Sequence, residues 1–166
     1  MGICPLLVGM DAHLASPCDA SSWRSILDTP CNCNALRQAA RRVTQLYDRA
    51  LAPLDLRATQ YALLRAIERL GPIAMIPLAE ATVMDRATLG HNVRPLLVRG
   101  YASLTVGRDR RSREVSLTDP GRKVLKKAQP LWQRAQEVFE REIGAQDAAQ
   151  LRASVNRIAT REFADD

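Results

Sequence analysis

The segment GRDRRSREVSLT, Gly107 to Thr118, places four arginines, Arg108, Arg110, Arg111 and Arg113, within six residues. Charges this close repel one another, and a turn requires none of them. An external polyanion would relieve the repulsion. Asp109, set among them, can pair with a neighbouring guanidinium and shape the turn. A second polar group lies upstream in DRATLGHNVR, where Arg86, Thr88, His91 and Arg94 follow Asp85 on the outward side of an expected helix, with Ala87 and Gly90 between them. Arginine can bond guanine O6 and N7 together, and threonine can meet a thymine methyl or a phosphate. Glycine lets a helix backbone approach a surface closely. The chemistry suited to both groups is recognition of double-stranded DNA. The same residues would also serve as a solvated basic turn and an exposed helix face.

Two further groups leave alternatives open. Cys31 and Cys33, in CNCNALR, stand where the first helix begins, and Arg37 lies one turn on. A helix N-terminus and a nearby cation favour the thiolate, which suits redox sensing. Small, half-buried packing residues would look the same. Two residues apart, the thiols point to different helix faces, so a bridge between them violates disulfide geometry. Arg37, Arg41, Tyr47, Tyr61 and Trp132 could line a cleft for a small aromatic or phenolic carboxylate effector. They could equally be core aromatics and a surface arginine stripe. His13 and His91 are far apart and belong to no catalytic motif, so no enzyme is expected. Cys4, Cys18, Cys31 and Cys33 lack zinc-site spacing and nearby histidines, so neither metal nor cofactor is expected.

Composition sets the frame for these groups. The chain has 166 residues, a formal charge of +6 and a pI of about 9.6, with the excess charge between residues 31 and 118. A basic domain fits an anionic partner, although solubility alone could account for it. Aromatics are only 4% of residues, so the core must come from Leu, Ala, Val and Ile, which leans the chain toward helix. No apolar run approaches the roughly 20 residues of a membrane span. The patch Ile3 to Val8 has no basic region before it, so it does not read as a signal peptide. Cysteines confined to the first 33 residues suggest reduced thiols in a cytoplasm.

The elements that must position these groups follow from periodicity. Residues 1–30 read as a partly ordered arm, with Ser21–Leu27 a helical candidate. Leu36, Ala39, Ala40, Val43, Leu46, Tyr47 and Ala50 mark a helix from about Asn34 to Leu51, stopped by Pro53. A second runs from Ala58 to Leu70, ended by Gly71-Pro72. A short helix, Pro77–Thr82, and a longer one capped by Asp85 and ended by Gly100 make a helix-turn-helix. YASLTV and REVSLT then flank the arginine turn as a β-hairpin, with Leu104 and Val106 set against Val115 and Leu117. A hairpin in that place is a wing. A helix of some 25 residues follows, with Pro130 expected to kink it. After Gly144 a last helix carries Leu151, Val155, Ile158 and Phe163 on one face. The terminal helices carry an apolar stripe too continuous for a monomer of this size. The first helix and the last two are therefore expected to form a homodimer interface, presenting two recognition helices to a pseudo-palindromic site.

At this point LAEATVMDRATLGHNVRPLLVRGY followed by GRDRRSREVSLTDPGRKVL resembles the MarR family of bacterial transcriptional regulators, as does ALRQAARRVTQLYDRALAPLDLRATQYALL. The resemblance runs from about Cys31 to Phe163 and leaves the arm outside. It implies a mainly α fold with a small β-wing: a winged helix-turn-helix lobe over 57–118, and a helical dimerisation region over 31–56 and 119–166. It also implies a homodimeric regulator, usually a repressor, released from DNA by a small ligand or by oxidation. LGHN stands where relatives often have a Thr-Arg pair before the Asn, so Gly90 and His91 alter the base-reading surface. Cys33 falls where the organic-hydroperoxide-sensing branch carries its reactive cysteine, and Tyr47 where it carries one supporting tyrosine. Arg37 replaces the other. A winged-helix interaction module without DNA binding is the alternative.

Overall fold

The computed structural model describes residues 30–107 and 112–163. The expected arm helix at Ser21–Leu27 lies outside them. The chain divides into two units, residues 1–42 and 43–166. The described part of the first unit is the opening of α1 (Asn32–Leu51). The helix begins two residues earlier than its apolar pattern indicates, because the Cys31 carbonyl already accepts the Ala35 N–H at 3.0 Å.

The second unit starts in the last turns of α1 and continues through a 3-10 turn, Ala52–Leu54, into α2 (Ala58–Leu70). Asp48 caps α2 from α1: its carboxylate accepts the Ala58 N–H at 2.7 Å and faces Arg57 at 3.3 Å. Gly71 ends α2 at φ 73°, a conformation open to glycine. A two-residue strand follows, β1 (Ile73–Ala74), which periodicity cannot register because it is too short to alternate. Next come α3 (Met75–Ala81) and α4 (Arg86–Val98). Pro77 is thus the third residue of α3 rather than its first. It is tolerated there because the first four N–H groups of a helix have no partner within it. Then come β2 (Ala102–Val106), β3 (Arg113–Leu117), α5 (Asp119–Ile143) and α6 (Ala145–Ala159). α5 runs unbroken through Pro130. Phe163 lies beyond the end of α6 and is not part of its face.

The strands form an antiparallel sheet in the order β1-β3-β2. Leu104 pairs with Val115 and Ala102 with Leu117, while Val106 faces Arg113 near the tip and is exposed. Leu63, Leu64, Ile67, Leu78, Leu89, Val93, Leu96 and Val115 are fully buried between α2, α3, α4 and the sheet, with Leu125 and Ala128 added from α5. Burying a Leu or Val side chain contributes roughly 1.5–3 kcal/mol, so this cluster holds the helix-turn-helix and the wing base as one body.

Two fastenings were not visible in the sequence pattern. Arg99, the last residue before the Gly100 turn, pairs with Asp55, donates to the Asp55 carbonyl at 2.5 Å and lies 5.8 Å from the centre of the Tyr101 ring. It ties the end of α4 to the 3-10 turn. At the wing base, Thr118 donates through its hydroxyl to the Gly100 carbonyl at 2.6 Å and through its N–H to the Tyr101 carbonyl at 3.1 Å. Its hydroxyl also accepts the Gly121 N–H at 3.1 Å. Gly121 passes so close to the Tyr101 carbonyl that a Cβ there would collide with it. The run Leu117-Thr118-Asp119-Pro120-Gly121 therefore has a local physical cause: Thr118 caps α5 and Gly121 lets the helix press against the loop leaving α4.

Candidate nucleic-acid interface

The residues expected to meet DNA from a helix lie on α4. Leu89, Val93 and Leu96 are buried and fix the rotation of the helix. Arg86, Thr88, His91 and Arg94 are left exposed on the other side. Asp85 caps the helix: its carboxylate accepts the Thr88 N–H at 2.8 Å and the Thr88 hydroxyl at 2.6 Å. The Thr88 hydroxyl bond, with the backbone N–H bonds, holds the Asp85 carboxyl below the ordinary carboxylate range. Thr88 therefore offers a partner its methyl group and its oxygen lone pairs, since its hydroxyl proton is engaged. Asn92 turns back along the helix and donates to the Thr88 carbonyl at 2.8 Å. Pro95 lies inside α4, so the His91 carbonyl lacks its usual helical donor. A Cβ at Gly90 would meet nothing within 4 Å. Nothing inside the molecule requires glycine there.

The wing is framed by Gly107 and Ser112, joined by the Gly107 N–H to the Ser112 carbonyl at 3.0 Å. Arg108, Asp109, Arg110 and Arg111 lie outside the described residues. Arg113 opens β3 and is exposed. A Cβ at Gly107 would come within 2.8 Å of the Glu114 carboxylate. The Ser103 and Ser116 hydroxyls bond across the hairpin at 2.9 Å.

A cleft of about 500 Å³ opens between α2 and α5, lined by Tyr47, Tyr61, Trp132, Gln129, Thr82 and the guanidinium-bearing Arg65 and Arg69, with alanines between. Its volume suits a small organic molecule. The Tyr61 and Trp132 rings lie 6.0 Å apart at 24°. Burial pushes both the Tyr47 and Tyr61 phenols up from their usual value, Glu140 adding to the rise at Tyr47. Both are thus neutral hydrogen-bond donors at physiological pH. The Tyr47 hydroxyl donates to Gln136 on α5. Three of the five expected residues, Tyr47, Tyr61 and Trp132, line this cleft. Its arginines are Arg65 and Arg69, whereas Arg37 and Arg41 stand exposed on the opening turns of α1, outside the lining. Cys31 and Cys33 are both exposed, Cys31 just before α1 and Cys33 within its first turn. Among the described residues no three His, Cys, Asp or Glu side chains gather as a metal site, and no helix is long and apolar enough to cross a membrane.

No family model and no curated protein matches the chain. Solved structures do. The transcriptional regulator MosR of M. tuberculosis, crystallised in complex with DNA, is 33% identical, with 78% of this chain and 93% of that one covered and a TM-score of 0.71. A transcriptional regulator of the MarR family from Rhodococcus sp. RHA1 is 23% identical over 79% of this chain and 94% of its own, at a TM-score of 0.69. The chain belongs to the MarR family. The repressor CouR, bound to a 23-mer DNA duplex, is 25% identical over 78% of this chain and 92% of its own, at a TM-score of 0.71. The mainly helical fold with its three-stranded antiparallel wing sheet is the MarR-family winged helix. Its solved members are DNA-binding transcriptional regulators, a non-enzymatic class, and the chain is not an enzyme.

Proposed function

We propose that this MarR-family chain is a dimeric, sequence-specific DNA-binding regulator that represses its own or adjacent genes from a pseudo-palindromic operator. One observation carries the reading: α4 buries Leu89, Val93 and Leu96 while holding Arg86, Thr88, His91 and Arg94 outward around an unobstructed Gly90. Such a helix offers donors and a thymine-sized apolar contact to a major groove. Arg108, Arg110, Arg111 and Arg113 on the wing contact the flanking backbone or minor groove, with Asp109 shaping the tip. The exposed apolar stripe of α6, Leu151, Val155 and Ile158, supports a dimer through the terminal helices over 119–166 and through 31–56, leaving 57–118 as the DNA lobe. Such a regulator works where the genome is, in the cytoplasm.

Release follows from the cleft. An aromatic or phenolic carboxylate bound there would set its ring against Tyr61 and Trp132 and its charge on Arg65 or Arg69. A second route is oxidation of the exposed Cys31 and Cys33. Fluorescence anisotropy of labelled DNA from the gene's upstream region tests all three statements. Tight, salt-sensitive binding supports the regulator. Loss of that binding with a mild hydroperoxide, restored by a reductant, selects the thiol route, and loss with an aromatic carboxylate selects the cleft. Salt-insensitive binding would select the alternative, an interaction module without DNA binding, and absent binding would leave that module or a distant operator.

A further inference from the structure

Most of the short polar groups on the outward side of α4 are engaged within the chain. The Thr88 hydroxyl donates to Asp85 at 2.6 Å, and Asn92 folds back to the Thr88 carbonyl at 2.8 Å. Arg86 and Arg94 keep a fixed charge, because a guanidinium does not deprotonate in proteins. His91 differs from all of these. It is exposed and, among the described residues, makes no hydrogen bond or ion pair. Gly90 beside it carries no side chain, and a Cβ there would meet nothing within 4 Å.

No acidic group is set against the His91 ring. Its near neighbours along α4 are Ala87, Thr88, Arg94 and Pro95, of which only Arg94 is charged. α2, α3 and β2 pack against α4 through the buried Leu89, Val93 and Leu96. On α2, Arg65 pairs with Glu68 at 2.8 Å, and Arg65 and Arg69 line the cleft with Tyr61. On α3, Glu80 lines a groove with Asp85 and Arg86, and His91 is not part of it. β2 carries no titratable side chain.

Imidazole is the ordinary side chain whose charge changes between roughly pH 5 and 8. Neutral, it has one donor nitrogen and one acceptor; protonated, it has two donors. The major-groove edge of guanine offers two acceptors, N7 and O6, and no donor. Such a partner favours the protonated ring. The contribution to binding is therefore present at low pH and is lost as pH rises.

We infer that His91 is a specificity-determining residue of α4 that makes DNA recognition respond to pH: its imidazolium donates to a guanine edge, and the protein takes up a proton there on binding. This rests on the reading of α4 as a DNA-recognition helix. A change in pH then alters the choice of DNA site with no ligand in the cleft.

The test selects duplexes from a random-sequence pool with the full-length protein at about pH 6 and at about pH 8, and follows affinity for the acid-selected duplex by fluorescence anisotropy. The unmutated chain should enrich a guanine at the lower pH that it does not enrich at the higher. Its affinity for that duplex should fall about tenfold between the two. H91Q should lose the guanine and bind at both values as the unmutated chain binds at the higher pH. H91K keeps a charge throughout and should hold the tighter affinity at both. The chain has two histidines, and H13Q should leave the slope intact. His91 is exposed, so thermal midpoints should be equal across the variants, which separates a lost contact from lost folding. A flat pH profile in the unmutated chain, a slope that survives H91Q, or an equal slope on unrelated duplexes would overturn the inference. Enrichment of no sequence at either pH would instead remove the reading of α4 on which it rests.

Discussion

The winged-helix lobe and α6 are built on opposite terms. In the lobe, α4 carries three buried apolar residues on its inner face, and the partners they need come from α2, α3 and the sheet of the same chain. On α6, Ala148 is buried and Leu151, Val155 and Ile158 are not. A helix of 15 residues with an apolar stripe facing water is not stabilised by its own fold. One region is finished within the chain, whereas the other leaves an apolar stripe uncovered by it. If α6 packs in the proposed dimer, the lobe should tolerate loss of the partner, and α6 should tolerate loss of its stripe only as a monomer.

The largest expected effect breaks the finished region. L96A removes a fully buried side chain and should lower stability by about 2–5 kcal/mol in urea unfolding, with DNA binding lost alongside. A variant as stable as the unmutated chain would mean that α4 is not locked in place. V155D/I158D addresses the unfinished region. Sedimentation should show monomers with unchanged helix content, and affinity for two-half-site DNA should fall at least about tenfold while half-site binding persists. If the dimer survived, the stripe would belong to another contact. The double change R110A/R111A should weaken binding to related and unrelated duplexes alike and reduce the salt slope by about one to two. A selective loss on the operator alone would move the wing from backbone contact to base reading. G90A should stabilise the fold by about 0.5–1 kcal/mol and yet weaken operator binding, a divergence that only close approach to an outside surface produces.

The smallest effect is in the acid limb. The Asp85 carboxyl, lowered by its bond to the Thr88 hydroxyl, contributes stability that is fully present above the ordinary carboxylate value. That contribution is lost as pH falls through the depressed folded value. D85N should therefore flatten the decline of thermal midpoint with acid at the lowest pH, and an unchanged acid profile would show that the cap is not coupled to folding.

These regions also differ in how much of them could be read in advance. The hairpin was legible because Leu104 and Val106, Val115 and Leu117 alternate with polar neighbours, but its register was not: Leu104 meets Val115, whereas Val106 faces Arg113 and Leu117 faces Ala102. The Asp85 cap was legible because a short acceptor side chain before an apolar helix has one economical use. The cleft was read only in part. Tyr47, Tyr61 and Trp132 were accessible as aromatics among few aromatics, yet the arginines beside them depend on which turns of α2 and α5 face each other. Arg65 and Arg69 sit on the polar side of α2 and carry no local mark that distinguishes them from Arg37 and Arg41. β1 is too short to show a period, and the Arg99–Asp55 tie joins residues 44 apart in sequence, a separation over which local patterns are silent. The arginines at the wing tip were conspicuous by charge alone, although Arg108, Asp109, Arg110 and Arg111 lie outside the described residues.

The seam at Gly121 has a mechanical consequence. α5 has 25 residues and so extends about 37 Å, and its foot is held against the Tyr101 carbonyl by contact and against the Gly100 carbonyl by Thr118. There is no slack at that end. A rod of this length pivoting by about 5° moves its far end by about 3 Å relative to its foot. Conversely, a displacement of α5 at its foot bears directly on the base of the hairpin, because Gly121 and Thr118 contact the loop there. Replacing Gly121 with alanine would insert a shim at the fulcrum, forcing the foot of α5 away from the Tyr101 carbonyl.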